Sequence, residues 1–157
     1  MTVHVDATAG TDARALRSFA DIDYADAFTL DTEVAAAPQR WARAMFGDTP
    51  DFGQRFIWRG LLGLRLSSGR SPDTVAGWRI GAHGDDWIRL EAASWFLTAN
   101  LIVRTGAARV SLVTLLRYHG PWGRAVWPPL SAVHRALVPR VMNHAEARIR
   151  RTGPARR

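Results

Sequence analysis

Between residues 75 and 119 apolar and polar side chains alternate in four successive runs, and no other pattern in the chain restricts its fold as tightly. The run VAGWRIGAH, 75–83, puts Ala76, Trp78, Ile80 and Ala82 on one side and Arg79 on the other. In 87–92, Ile88 and Leu90 alternate with Arg89 and Glu91. In 95–104, Trp95, Leu97, Ala99, Leu101 and Val103 oppose Thr98, Asn100 and Arg104; in 108–119, Val110, Leu112, Thr114, Leu116 and Tyr118 oppose Arg109, Ser111 and Arg117. A period of two marks strands whose two faces differ. The turns Gly84-Asp85-Asp86 and Thr105-Gly106-Ala107 are short enough to join antiparallel neighbours only. The expectation is an antiparallel meander with one buried face, leaving Arg79, Arg89 and Arg117 in solvent.

The period then changes. From Trp122 to Arg151 apolar residues recur at Leu130, Val133, Leu137, Val138, Val141, Met142, Ala145 and Ile149, a spacing of threes and fours that predicts one long amphipathic helix. Pro128-Pro129 fits its opening turn, and Pro139 predicts a kink where the bond back to Arg135 is lost. His134 is a polar group within the stripe. Upstream, 24–30 reads as a first strand with Phe28 and Leu30 inward. Asp26 is in phase with them near Tyr24, and a carboxylate buried there calls for a partner, for which an arginine is the expectation. Ala37-Pro38 opens a short helix carrying Trp41, Ala42, Met45 and Phe46, stopped at Gly47. A second short helix is expected from near Asp51, with Phe52, Phe56, Ile57, Leu61 and Leu62, before the turn-rich loop 67–73. Residues 1–20 have no apolar period and read as a mobile extension, leaving 21–151 as a single domain and 152–157 as a basic tail.

The 157 residues suffice for one domain with a sizeable core. No apolar run reaches membrane-spanning length, and no signal-peptide pattern opens the chain. The lack of cysteine excludes disulfides, a thiolate nucleophile and a Cys-type zinc site, and is compatible with a cytoplasmic location. All 21 basic residues are arginine, and the charge is lopsided: residues 1–91 hold 10 arginines and 13 acids (−3), residues 92–157 hold 11 arginines and one acid (+10). The cluster Arg148, Arg150, Arg151, Arg156 and Arg157 reads first as a solvated helix end, and second as a weak contact for an anionic surface.

Strand, two short helices, antiparallel strands and a closing helix is the order of the helix-grip fold. The pieces DYADAFTL (23–30), PQRWARAMFG (38–47), GWRI (77–80), SWFLTANLIVR (94–104) and VHRALVPRVM (133–142) resemble the START-like, or SRPBCC, superfamily, which includes polyketide cyclases, and within it a bacterial family of unknown function. The resemblance covers roughly 22–150. It implies an α+β fold in which a curved antiparallel sheet of about 5–7 strands grips the last helix around a hydrophobic cavity. About five strands are readable, fewer than is usual for that superfamily, unless 64–67 adds an edge strand.

An apolar cavity needs few polar groups to orient its contents. The side chains expected to line it are Trp41, Trp58, Trp78, Trp95, Thr114, Tyr118 and His134, although any one tryptophan serves equally as core filler. The first functional reading is binding of a hydrophobic small molecule or lipid, with no cofactor and no specific nucleic acid. The second is a cyclase-, dehydratase- or hydrolase-like enzyme using His134 as acid or base with Tyr118 or Asp26. No HExxH, GxSxG, GxGxxG or P-loop is present, so metal, triad and nucleotide chemistry have no local support.

Overall fold

The computed structural model describes residues 2–47, 58, 61–67 and 71–153. Within them lie β1 (Val3–Val5), α1 (Ala7–Arg14), β2 (Tyr24–Asp31), α2 (Pro38–Phe46), β3 (Thr74–Val75), β4 (Trp78–His83), β5 (Trp87–Ala93), β6 (Leu97–Gly106), β7 (Arg109–Tyr118) and α3 (Pro121–Arg151). The strands form one open, wholly antiparallel sheet in the order β1-β2-β7-β6-β5-β4-β3. The protein is thus α+β, with three helices among the described residues and a long C-terminal one, consistent with a helix-grip arrangement.

Strand phase explains the main core. Cross-strand register aligns Phe28 with Leu112, Leu112 with Val103 and Leu90 with Leu101, all facing α2 and α3. Pro38 presets the first turn of α2, whose Trp41, Ala42, Met45 and Phe46 are buried against the sheet. Trp41, Leu90, Leu112 and Met142 are 2% exposed or less, so sheet, α2 and α3 share one apolar layer.

Seven strands form where five are legible, because two are short and one long run is divided. The run 75–83 is not one strand: Ala76 (φ 50°) and Gly77 (φ 84°) make the positive-φ pair of a tight hairpin between β3 and β4. A Cβ on Gly77 would stand 2.6 Å from the Ser67 carbonyl oxygen, so this turn needs glycine. Beyond it the register shifts between Ile80 and Ala82, a bulge that ends the simple alternation. Residues 64–67 form no strand; Arg65 and Ser67 instead donate single backbone hydrogen bonds to Ala93 and Gly77. Most of the short helix expected from Asp51 lies outside the described residues.

The first 20 residues are not a structureless extension. β1 pairs with β2, and α1 lies on the sheet face opposite α3. Asp6 caps α1 by accepting from the Ala9 N–H, and it also accepts from the Thr29 hydroxyl; these bonds hold its carboxyl below the usual range. Ala13 closes over Ala27, Ile102, Val113 and Leu115, with Leu16 and Phe19 beside them. Gly10 lets the helix approach so closely that a Cβ there would sit 3.3 Å from that of Ala27. The sheet is therefore buried on both faces along β2, β7 and β6, which corrects the one-faced expectation. Arg89 is accordingly not solvated: its guanidinium reaches the Leu16 carbonyl and Glu91, and its side chain is only 16% exposed. Arg79 does stay outside, paired with Glu91.

α3 begins at Pro121, seven residues before the expected opening at Pro128, and runs to Arg151 with Pro128, Pro129 and Pro139 inside it. Each proline removes the N–H that would bond the carbonyl four residues back, here those of Arg124, Ala125 and Arg135. All three of those residues are exposed, so water is at hand for the orphaned carbonyls. Of the sequence-level stripe, Val138, Met142, Ala145 and Ile149 are buried, whereas Val133 and Leu137 turn outward. Near the C-terminal end the buried Glu146 accepts from Thr32 (2.5 Å) and Arg150 (2.9 Å). Burial alone would push this carboxyl up, but the two hydrogen bonds outweigh it and hold the group below its usual range.

Candidate functional site

Tyr24 and Asp26 share the inner face of β2, because residues two apart on a strand point the same way. In that stretch β2 has β7 on one side only, since β1 pairs no earlier than Phe28. Thr114, opposite Asp26 in the register, shares the face. α3 crosses here and brings Trp127 and His134, seven residues and so about two turns apart, over the same spot.

These groups converge. His134 Nε2 is 2.9 Å from Asp26 Oδ2 and 3.1 Å from Thr114 Oγ1. The Tyr24 hydroxyl donates to the same Asp26 oxygen at 2.7 Å. Trp127 packs edge-on to Tyr24, with centroids 5.2 Å apart, and tilts over the His134 ring at 5.4 Å. The Asp26 side chain is 8% exposed and that of His134 21%, so the pair forms a buried carboxylate under a partly open imidazole. Asp26 Oδ1 is buried and has no hydrogen-bond partner among the described residues.

Proton positions follow from the partners. A carboxylate oxygen 2.9 Å from a ring nitrogen requires a hydrogen between them, so Nε2 carries it and Nδ1 is the nitrogen left for other chemistry. Burial, reinforced by the hydrogen bond to Asp26, pushes the Tyr24 phenol well above its ordinary range, so it remains a donor at neutral pH. The partner of Asp26 is thus a histidine and a tyrosine rather than the expected arginine.

The other expected site residues divide. Thr114 and His134 join the cluster. Trp41 is fully buried core, and Trp78 is 2% exposed with Trp58 edge-on to it at 5.4 Å; they belong to the same apolar layer as Tyr24 and Trp127 and serve there as core. Trp95 does not point inward: it lies before β6, is 63% exposed and stacks edge-on with Phe96 and Trp122. Tyr118 stays outside the cluster; its N–H donates to Asp23, and burial followed by the Asp23 charge raises its phenol. Tyr24 takes the place expected of Tyr118, and its phase with Asp26 is the signal that marks it.

On the opposite face, a polar cleft of about 190 Å³ lies between α1 and the hairpin of β6 and β7, lined in part by Asp6, Asp12, Arg104, Arg109 and Ser111. Its charges oppose one another, with Arg104 3.9 Å from Asp12. Among the described residues no three histidine or acidic side chains are grouped to hold a metal ion. No described helix is long and apolar enough to cross a membrane. No family model, no curated protein and no solved structure matches the chain.

Proposed function

We propose that the protein binds a small hydrophobic molecule or lipid between the sheet and α3, with Asp26 and His134 gripping its polar end. The observation that carries this is Asp26 Oδ1: a desolvated carboxylate oxygen without a donor among the described residues, beside a partly open imidazole at the rim of an apolar layer. Burying such an oxygen unmet is costly, and a ligand hydroxyl or amide would relieve that cost. The START-like resemblance belongs to this reading and points the same way. Native mass spectrometry of the protein purified from bacteria, then incubated with fatty acids, isoprenoids and polycyclic aromatics, is the test. Retention of one such class, weakened about tenfold by Asp26→Asn through loss of a charge-assisted hydrogen bond, supports it. An interior that takes up none of them refutes it.

A second reading has its own observation. Asp26 fixes the His134 ring through Nε2 and leaves Nδ1 as a general base, the geometry of an oriented acid–base histidine. Turnover of an ester or enolisable ketone that vanishes in His134→Ala while ligand retention persists would favour catalysis over carriage.

A further inference from the structure

We propose that the polar cleft between α1 and the β6–β7 hairpin binds a small zwitterion of the α-amino-acid type. This does not depend on the ligand site proposed above, which lies on the other face of the sheet. Residues directly opposed on antiparallel strands share a face, so Arg104 with Ser111 and Gly106 with Arg109 all point the same way. Ser111 fixes that direction: its hydroxyl is 2.7 Å from that of Thr29, which donates to Asp6 at the start of α1. One wall of the cleft is therefore basic, Arg104 and Arg109, and the facing wall acidic, Asp6 and Asp12. Gly106 makes room for the Arg109 stem, since a Cβ there would stand 3.4 Å from Arg109 Cγ.

The two walls do not neutralise each other by contact. Arg104 Nη1 and Asp12 Oδ2 are 3.9 Å apart, beyond hydrogen-bond reach, and neither guanidinium donates a hydrogen bond among the described residues. Arg104 Nε is in addition shut off from water without an acceptor. A guanidinium carries five N–H donors, and a desolvated one left unmet is costly enough to call for an acceptor. The acids across the gap are poorly placed to supply it: Asp6 already accepts from the Ala9 N–H and Thr29, and Asp12 is 61% exposed at the rim. A bare anion would meet the guanidiniums but sit against two carboxylates, and a bare cation would face two guanidiniums. One molecule carrying a carboxylate and an ammonium a few atoms apart answers both walls. At about 190 Å³ the cleft is smaller than the roughly 300–1,000 Å³ of drug-sized pockets, which suits a free amino acid; Thr8 and Ser111 add hydroxyls that favour a polar side chain on it.

Amide NMR titration of the full chain with L-serine, L-threonine, L-asparagine and L-glutamine tests the proposal, with acetate, inorganic phosphate and methylammonium as single-charge controls. At least one amino acid should shift the amides of 8–12 and 104–111 saturably, and each control should bind at least about tenfold more weakly. Arg109→Gln and Asp12→Asn alter exposed side chains, so the amide spectrum and the ligand-free melting temperature should stay native. Each should weaken the amino acid at least about tenfold, through loss of one charge-assisted contact. The proposal is overturned if no amino acid shifts these amides, if phosphate or acetate binds as tightly as the best of them, or if both variants bind like the native chain. It is equally overturned if either variant lowers the ligand-free melting temperature while no amino acid binds, which would make the charges a structural ion pair.

Discussion

Replacing Glu146 by glutamine isolates the charge from the shape of a buried contact. The native carboxylate takes a hydrogen bond from Thr32, itself 4% exposed, and one from the half-exposed Arg150. A hydrogen bond to a charged acceptor is worth about 1.5–3 kcal/mol, a neutral one about 1 kcal/mol. The glutamine amide keeps an acceptor for Thr32, so the loss there is ~0.5–2 kcal/mol; the exposed arginine adds only ~0.3–0.5 kcal/mol. A chain of this length should then melt roughly 2–10 °C lower at pH 7. The pH dependence has a definite sign. The folded-state pKa lies below the unfolded one, so this stabilisation is complete above the unfolded value, about 4.3, and disappears as pH falls through the folded value. The gap in melting temperature between the native chain and Glu146→Gln should therefore be open at neutral pH and close in acid, read by differential scanning calorimetry across a pH series. A gap of equal size at both ends, or none at neutral pH, would refute the assignment of this stability to a charge-assisted bond.

The polar cluster makes a spectroscopic prediction: long-range nitrogen–proton correlation spectra should show neutral His134 as the Nε2–H tautomer, and Asp26→Asn should erase that preference. A native Nδ1–H form would contradict the geometry. Gly123→Ala should destabilise the fold although it sits in a helix, since the new Cβ would meet the Phe96 carbonyl oxygen and Tyr118 Cβ at 2.9 Å. Overpacking of about 1–3 kcal/mol outweighs a helix-propensity gain of about 1 kcal/mol, and chemical denaturation would show the difference. Removing residues 2–20 uncovers Ile102, Val113 and Leu115, worth up to ~1.5–3 kcal/mol each, a large share of a typical ~5–15 kcal/mol stability. That truncation should bind a hydrophobic dye and lose cooperative melting; an unchanged melt would show that the α1 layer contributes little.

Long, strongly periodic elements were readable from sequence. The alternation in β2, β5, β6 and β7 placed Asp26, Phe28, Leu112 and Thr114 on the correct face, and Pro38 with Gly47 bounded α2. What escaped has physical causes. α1 buries only small residues, Gly10 and Ala13, so it leaves no greasy period to detect. The β3–β4 hairpin hides because alanine rarely takes the positive φ that Ala76 adopts. The start of α3 was displaced because Pro128 and Pro129 look like a first turn, yet the carbonyls they orphan belong to the exposed residues Arg124 and Ala125. For the site, strand phase found Asp26, and helix period found His134. Their pairing with Tyr24 depends on where α3 crosses the sheet, which no local pattern encodes.

The two ends of the sheet have a consequence for how this molecule behaves in a crowd of its own copies. β1 spans three residues and β3 two, against the five or six of an ordinary strand. Neither rim presents a ladder of free amides long enough to template a neighbour, so end-to-end growth of the sheet into fibres has no ready starting point there. Among the described residues the exceptions are the end of β4 beyond Arg79, which β3 does not reach, and the stretch of β2 before Phe28, where β1 has not begun and the Asp6 N–H donates to the Ala27 carbonyl. A chain whose N-terminal segment is nicked would lose that cover first, and aggregation should begin at this rim.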